Sequence, residues 1–126
     1  MKAVIHTDKA PKAVGPYSQA IRANQFVFTA GQLGVTPETE KLVGGGIQEQ
    51  TRQVMENLKI VLAAAGTGFS NAVKTTVFLS DISKFSEFNE VYAGYFPADK
   101  PARNTFQVAA LPLGAMVEIE MVALVE

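Results

Sequence analysis

The sequence predicts an α+β fold with one sheet and two helices on one of its faces. Three observations point there. One long amphipathic helix pattern fills residues 47–65, a second occupies residues 83–96, and extended, alternating segments precede, separate and follow them. The resulting order is strands, helix, strand, helix, strands, with no internal repeat and no linker, so one domain over residues 1–126 is expected.

Taken in order, residues 3–6 read as a short first strand. Ala10-Pro11 and Gly15-Pro16 bracket a loop that ends in Tyr17. Residues 18–23 and 26–29 read as two strands joined by a tight turn at Asn24-Gln25. Gly31 and Gly34 interrupt the chain, and Gly44-Gly45-Gly46 reads as a turn. That glycine run lacks the Gly-Lys-Ser/Thr that would open a phosphate-binding helix. In the first helix Ile47, Val54, Leu58, Val61, Leu62 and Ala65 recur at helical spacing, with Gln50, Arg52, Gln53, Glu56 and Lys59 assigned to the outside. Gly66 is suited to end it. Residues 72–79, rich in Val, Thr and Phe, read as a strand. Ser83 is the expected cap of the second helix, whose inner face would be Phe85, Phe88, Val91, Tyr92, Tyr95 and Phe96, stopped by Pro97 and Pro101. Residues 103–109 and 115–125 are the last two strands, which makes six.

Bulk composition narrows the chemistry. The chain has 126 residues, 48% hydrophobic and 18% charged, with net charge −1, enough to bury one core. Cysteine is absent, which removes disulfides, thiol nucleophiles and thiolate metal sites. A single histidine, His6, argues against a histidine metal site or a Ser-His-Asp triad and reads as a strand-end side chain without a role. No basic stretch suggests a nucleic-acid partner. No apolar run approaches the roughly 20 residues of a membrane span, and the first seven residues do not resemble a signal peptide, so a cytoplasmic protein is expected.

The strands are apolar on both sides. Phe26 and Phe28 point opposite to Val27, and Val77 and Leu79 opposite to Phe78. A sheet of about six strands is roughly 25–30 Å wide, and two helices about 10 Å across cover only one face of it. With the loops read as short, the other face requires a second copy of the chain, so a homo-oligomer is expected.

Two residues stand out for chemistry. Arg103 opens one strand behind Pro101-Ala102, and Glu118 lies on the next with Glu120 on the same face. An arginine fork matches a carboxylate bidentately, and a carboxylate beside it can move protons. Arg103 is expected to supply a counter-charge from a neighbouring strand. Read singly, each has a plainer account: Arg103 as an interface ion pair, Glu118 and Glu120 as solvated strand-end carboxylates, Tyr17 as a loop aromatic packing on a neighbour.

Gly15-Pro16-Tyr17-Ser18-Gln19-Ala20, Ala30-Gly31-Gln32, Phe88-Asn89-Glu90-Val91-Tyr92, Pro101-Ala102-Arg103 and Leu111-Pro112 with Val117-Glu118-Ile119-Glu120 occur in one order. Together they closely resemble the RidA/YjgF family, the reactive-intermediate (enamine/imine) deaminases, from about residue 8 onward. The resemblance implies a chorismate-mutase-like fold and a homotrimer with a central β-barrel and three clefts between subunits. It implies hydrolysis of 2-imino acids such as 2-iminobutanoate and 2-iminopropanoate, released by pyridoxal-phosphate dehydratases, to 2-keto acids and ammonia, with no cofactor and no metal. By the same resemblance Arg103 would pair with the substrate carboxylate, Glu118 would handle water and protons, Tyr17 would line the cleft, and the Gly31 amide would face the ligand. Thr105, where several members have Cys, would also contact substrate, and Asn89 would be structural. Ala30 stands where many members have Ser. Two rival functions attach to such a chain: a regulatory trimer that binds small metabolites without turnover, and an endoribonuclease or translation inhibitor, which the lack of a basic groove disfavours.

Overall fold

The computed structural model describes all 126 residues. Seven strands and two helices follow the chain as β1 (Lys2–Ile5), β2 (Ala20–Ala23), β3 (Phe26–Thr29), β4 (Gln32–Leu33), α1 (Ile47–Ala64), β5 (Ala72–Leu79), α2 (Phe85–Tyr92), β6 (Ala102–Gln107) and β7 (Val117–Leu124). The sheet order is β1-β2-β3-β7-β5-β6, antiparallel except for the pair β5 and β6, which α2 connects. A parallel neighbour needs such a crossover. The strand count is one more than the sequence predicts. β4 has two residues, too few to show alternation, and it pairs with β7 alongside β3.

The β2–β3 hairpin turns at Asn24, whose φ of 55° is tolerated better by asparagine than by most side chains. β1 is shifted by one residue from expectation, and β2 begins only at Ala20. The connections across residues 6–19 and 34–46 are long, which corrects the reading that the loops are short. They leave Phe26, Phe28 and Phe106 of the outer face exposed, and both shape the cleft around Glu118 described below.

Helix α1 buries Val54, Leu58, Val61 and Leu62 completely against the sheet. Each such side chain contributes roughly 1.5–3 kcal/mol by leaving water. Gln50 faces inward, contrary to its expected place outside. Its Oε1 accepts the Met116 N–H at 2.9 Å, satisfying a backbone donor no strand partner reaches. At the helix start the Glu49 carboxylate accepts the Gly46 N–H at 2.8 Å, which pulls its pKa below the usual range. Asp81, not Ser83, caps the approach to α2, accepting from the Ser83 N–H and hydroxyl at 3.0 and 2.7 Å. The second helix is regular only to Tyr92 and tightens into a 3₁₀ turn over Ala93–Tyr95.

One core joins α1, α2 and the inner face of the sheet, where Val27, Val77, Val117, Ile119 and Met121 lie. The outer face carries Phe26, Phe28, Phe106 and Leu124, with Phe28 46% and Phe106 44% exposed. Contiguous exposed apolar patches of this kind are uncommon on monomers.

Candidate active site

The structure places Arg103 and Glu118 on opposite faces of the sheet. Arg103 on β6 registers with Thr75, a buried residue of the inner face. Glu118 on β7 registers with Phe78 and Leu33, on the outer face. β5 lies between their strands. The expected counter-charge from a neighbouring strand is therefore absent within one chain. The ion pair of Lys84 with Glu87 and the contact of His6 with Asp8 involve neither residue.

The Glu118 side is a cleft of about 590 Å³. Its rim includes Val14, Tyr17 and Leu113, its floor Ala30, Gly31 and Glu118. Tyr17 is half exposed, and its hydroxyl accepts the Val14 N–H at 3.4 Å. Leu113 sits at φ 62°, strained for a leucine, at the turn just before β7. A Cβ added at Gly31 would run into the Glu118 carboxylate, whose carboxyl carbon would be only 2.8 Å away. Glycine thus gives Glu118 room beside the backbone. Burial first, and then the Glu120 charge, push the Glu118 pKa above the usual carboxylate range. Glu120 itself is exposed.

Two residues not singled out in the sequence hold this cleft together. Gln19 is buried; it accepts the Thr7 N–H at 2.8 Å and donates to the Thr7 and Pro11 carbonyls at 3.1 and 2.9 Å. It ties the long first loop to the sheet. Asn57, fully buried on α1, donates to the Leu33 and Val35 carbonyls at 3.1 and 2.8 Å. Gln19 is signalled only by its place in the Gly15–Ala20 segment, and Asn57 only as a polar residue among apolar helix positions.

The Arg103 side is a second hollow of about 440 Å³ that includes Asn89, Tyr92, Lys100 and Pro101. Arg103 Nη1 donates to Asn89 Oδ1 at 2.8 Å. Its guanidinium carbon lies 4.9 Å from the Tyr92 ring centroid, 5.4 Å from that of Phe85 and 5.8 Å from that of Phe88. Thr105, two residues on and on the same face, has a buried hydroxyl with no hydrogen-bond partner. A buried hydroxyl of this kind calls for a bonding partner from outside the chain, whether water, a ligand or a second chain. No three His, Cys, Asp or Glu side chains gather as a metal-ligand set, and no helix is long and apolar enough to cross a membrane.

Residues 7–125 match the family described as Endoribonuclease L-PSP. The chain belongs to the RidA/YjgF family. It is 48% identical to the 2-iminobutanoate/2-iminopropanoate deaminase of Homo sapiens, over 98% of this chain and 90% of that protein. It is 54% identical to the chloroplastic Reactive Intermediate Deaminase A of Arabidopsis thaliana over 97% of this chain, and spans 65% of that protein's length. The crystal structure of E. coli TdcF with bound serine superposes with a TM-score of 0.93 at 38% identity, covering 98% of this chain and 99% of that one. The fold agrees with the resemblance read from the sequence, and these two relatives in the RidA/YjgF family are named as deaminases.

Proposed function

We propose that the chain is a 2-imino acid deaminase, working as a cytoplasmic homotrimer whose sites lie between protomers. The observation that carries this is the separation of Arg103 from Glu118: each opens from a different face of the sheet, and neither finds its complement in its own chain. The exposed Phe26, Phe28 and Phe106 supply the apolar face over which copies would assemble. In the assembled cleft Arg103 of one protomer would grip the substrate carboxylate, with the Thr105 hydroxyl beside it. Glu118, with Tyr17 and the Gly31 backbone, would come from the next.

A 2-imino acid presents a carboxylate beside a C=N carbon. Fixing the carboxylate fixes the approach to that carbon and can lower the barrier by several kcal/mol. The protonated imine accepts water directly. Glu118, with its elevated pKa, would take a proton from the attacking water and return one to the departing ammonia. The products are the 2-keto acid and ammonia. The names of the relatives support the same substrate class. The serine bound in TdcF keeps one second reading in view, a trimer that holds a small amino acid without turnover.

The test follows keto-acid release from freshly generated 2-aminocrotonate. Arg103→Ala should lower kcat/KM about 100-fold, as expected for a lost bidentate charge-assisted contact. Equal rates for wild type and Arg103→Ala would end the deaminase reading and favour binding. When Arg103→Ala and Glu118→Gln chains are co-expressed, random assembly leaves about one site in four with both groups intact, so about a quarter of wild-type turnover should return. No recovery would show that the two groups do not meet across protomers.

A further inference from the structure

Phe85, Phe88, Asn89 and Tyr92 stand at i, i+3, i+4 and i+7 on α2, one helix face. The sequence reads this stripe as core, and Phe88 and Tyr92 are indeed buried. The same face also meets Arg103. All three ring centroids lie within the roughly 6 Å at which a cation is held by an aromatic face. Tyr92 is the nearest, and its hydroxyl shares a 2.7 Å hydrogen bond with Thr75, the residue that registers with Arg103 on the adjoining strand. The ring is thus tied to the strand pair that carries the arginine. Asn89 takes one N–H of a guanidinium that has five, and no carboxylate of the chain takes any other.

We propose that Tyr92, anchored by Thr75, is a positioning residue that sets the plane of the Arg103 guanidinium, so that its free N–H fork is presented to the substrate carboxylate already oriented. This rests on the reading of Arg103 as the carboxylate-binding group. A held plane costs less ordering when the two parallel hydrogen bonds form, so its loss appears in binding rather than in the chemical step. Burial raises the Tyr92 pKa, so the support stays neutral across the working range.

The experiment uses the full-length, assembled protein, with 2-oxobutanoate as the calorimetric probe and 2-aminocrotonate as the substrate. Tyr92→Leu should weaken 2-oxobutanoate binding and raise KM about fivefold to tenfold, with kcat within about twofold. Tyr92→Phe, which keeps the ring but loses its tie to Thr75, should raise KM only about threefold. In an Arg103→Lys background, Tyr92→Leu should add almost nothing, because an ammonium has no plane to hold. Wild-type affinity in assembled Tyr92→Leu, or effects of the two substitutions that simply multiply, would overturn the role. Should Tyr92→Leu fail to fold, Thr75→Val with Tyr92→Phe removes both hydroxyls and leaves neither unpaired. That pair should raise KM about threefold, and unchanged binding would again overturn the proposal. If Arg103→Ala itself leaves 2-oxobutanoate binding intact, the functional reading falls. If Arg103→Ala weakens binding and Tyr92→Leu does not, only this inference does.

Discussion

The two sides of the sheet solve opposite problems. Arg103 is surrounded: rings around it, Asn89 at one edge, Thr75 behind the nearest ring. Glu118 is left uncompensated: no cation pairs with it, Glu120 repels it, and its wall is built of loops. On the proposed function the contrast separates two tasks. A group that must grip a fixed anion gains from rigid, neutral surroundings. A group that must exchange protons needs a carboxylate that is not stabilised as an anion, and burial beside a like charge supplies that. On the proposed reading these demands conflict, and placing the groups on different faces would let each keep its own environment, with assembly bringing them together.

The largest expected effect tests this division directly. Glu118→Gln should lower kcat about 100-fold to 1000-fold while leaving 2-oxobutanoate affinity within about threefold, measured by turnover and calorimetry. A parallel loss of affinity would mean that Glu118 belongs to the gripping side. Next, Gly31→Ala should displace the Glu118 carboxylate. Turnover should fall about tenfold or more, while stability should change little, because the atoms in the way are the end of a flexible side chain in an open cleft. A variant with wild-type turnover would show that the contact is not needed.

The smallest effect concerns stability. The folded pKa of Glu118 lies above its ordinary value near 4.5, so the folded chain holds this proton more tightly than the unfolded one. Stability from that difference is fully present below about pH 4.5 and is lost as pH rises through the folded value. Glu118→Gln should therefore raise Tm at pH 7, and the gain should disappear in thermal melts below about pH 4.5. A lower Tm at pH 7 would show that the ionised carboxylate has a stabilising partner.

Much of this arrangement is legible in the sequence, and the exceptions have physical causes. The α1 stripe and the alternation of β7 are long enough to declare their periods, and Asn24 marks its turn. β4 is too short to show one. Gln50 reads as an outer residue because helical spacing says nothing of an orphan amide at Met116. Ser83 does not cap because its own hydroxyl donates to the Asp81 carboxylate, which also accepts the Ser83 N–H. Arg103 and Glu118 are identifiable as residues, but their faces are not. Alternation orders side chains within one strand, whereas the relation between strands depends on a register set by β5. The aromatic stripe of α2 is visible as core, yet its second contact requires knowing where β6 returns.

Asn57 carries a consequence for motion. A strand with two paired residues, flanked by glycines, would ordinarily fray far more often than a helix at the centre of the fold. Here one amide from α1 holds the carbonyls of Leu33 and Val35, so opening that segment means stripping a fully enclosed polar group of its bonds. The Leu33 amide should then exchange its hydrogen for deuterium at the slow pace of the middle of α1, and the wall facing Glu118 should behave as part of the core rather than as a loose lip.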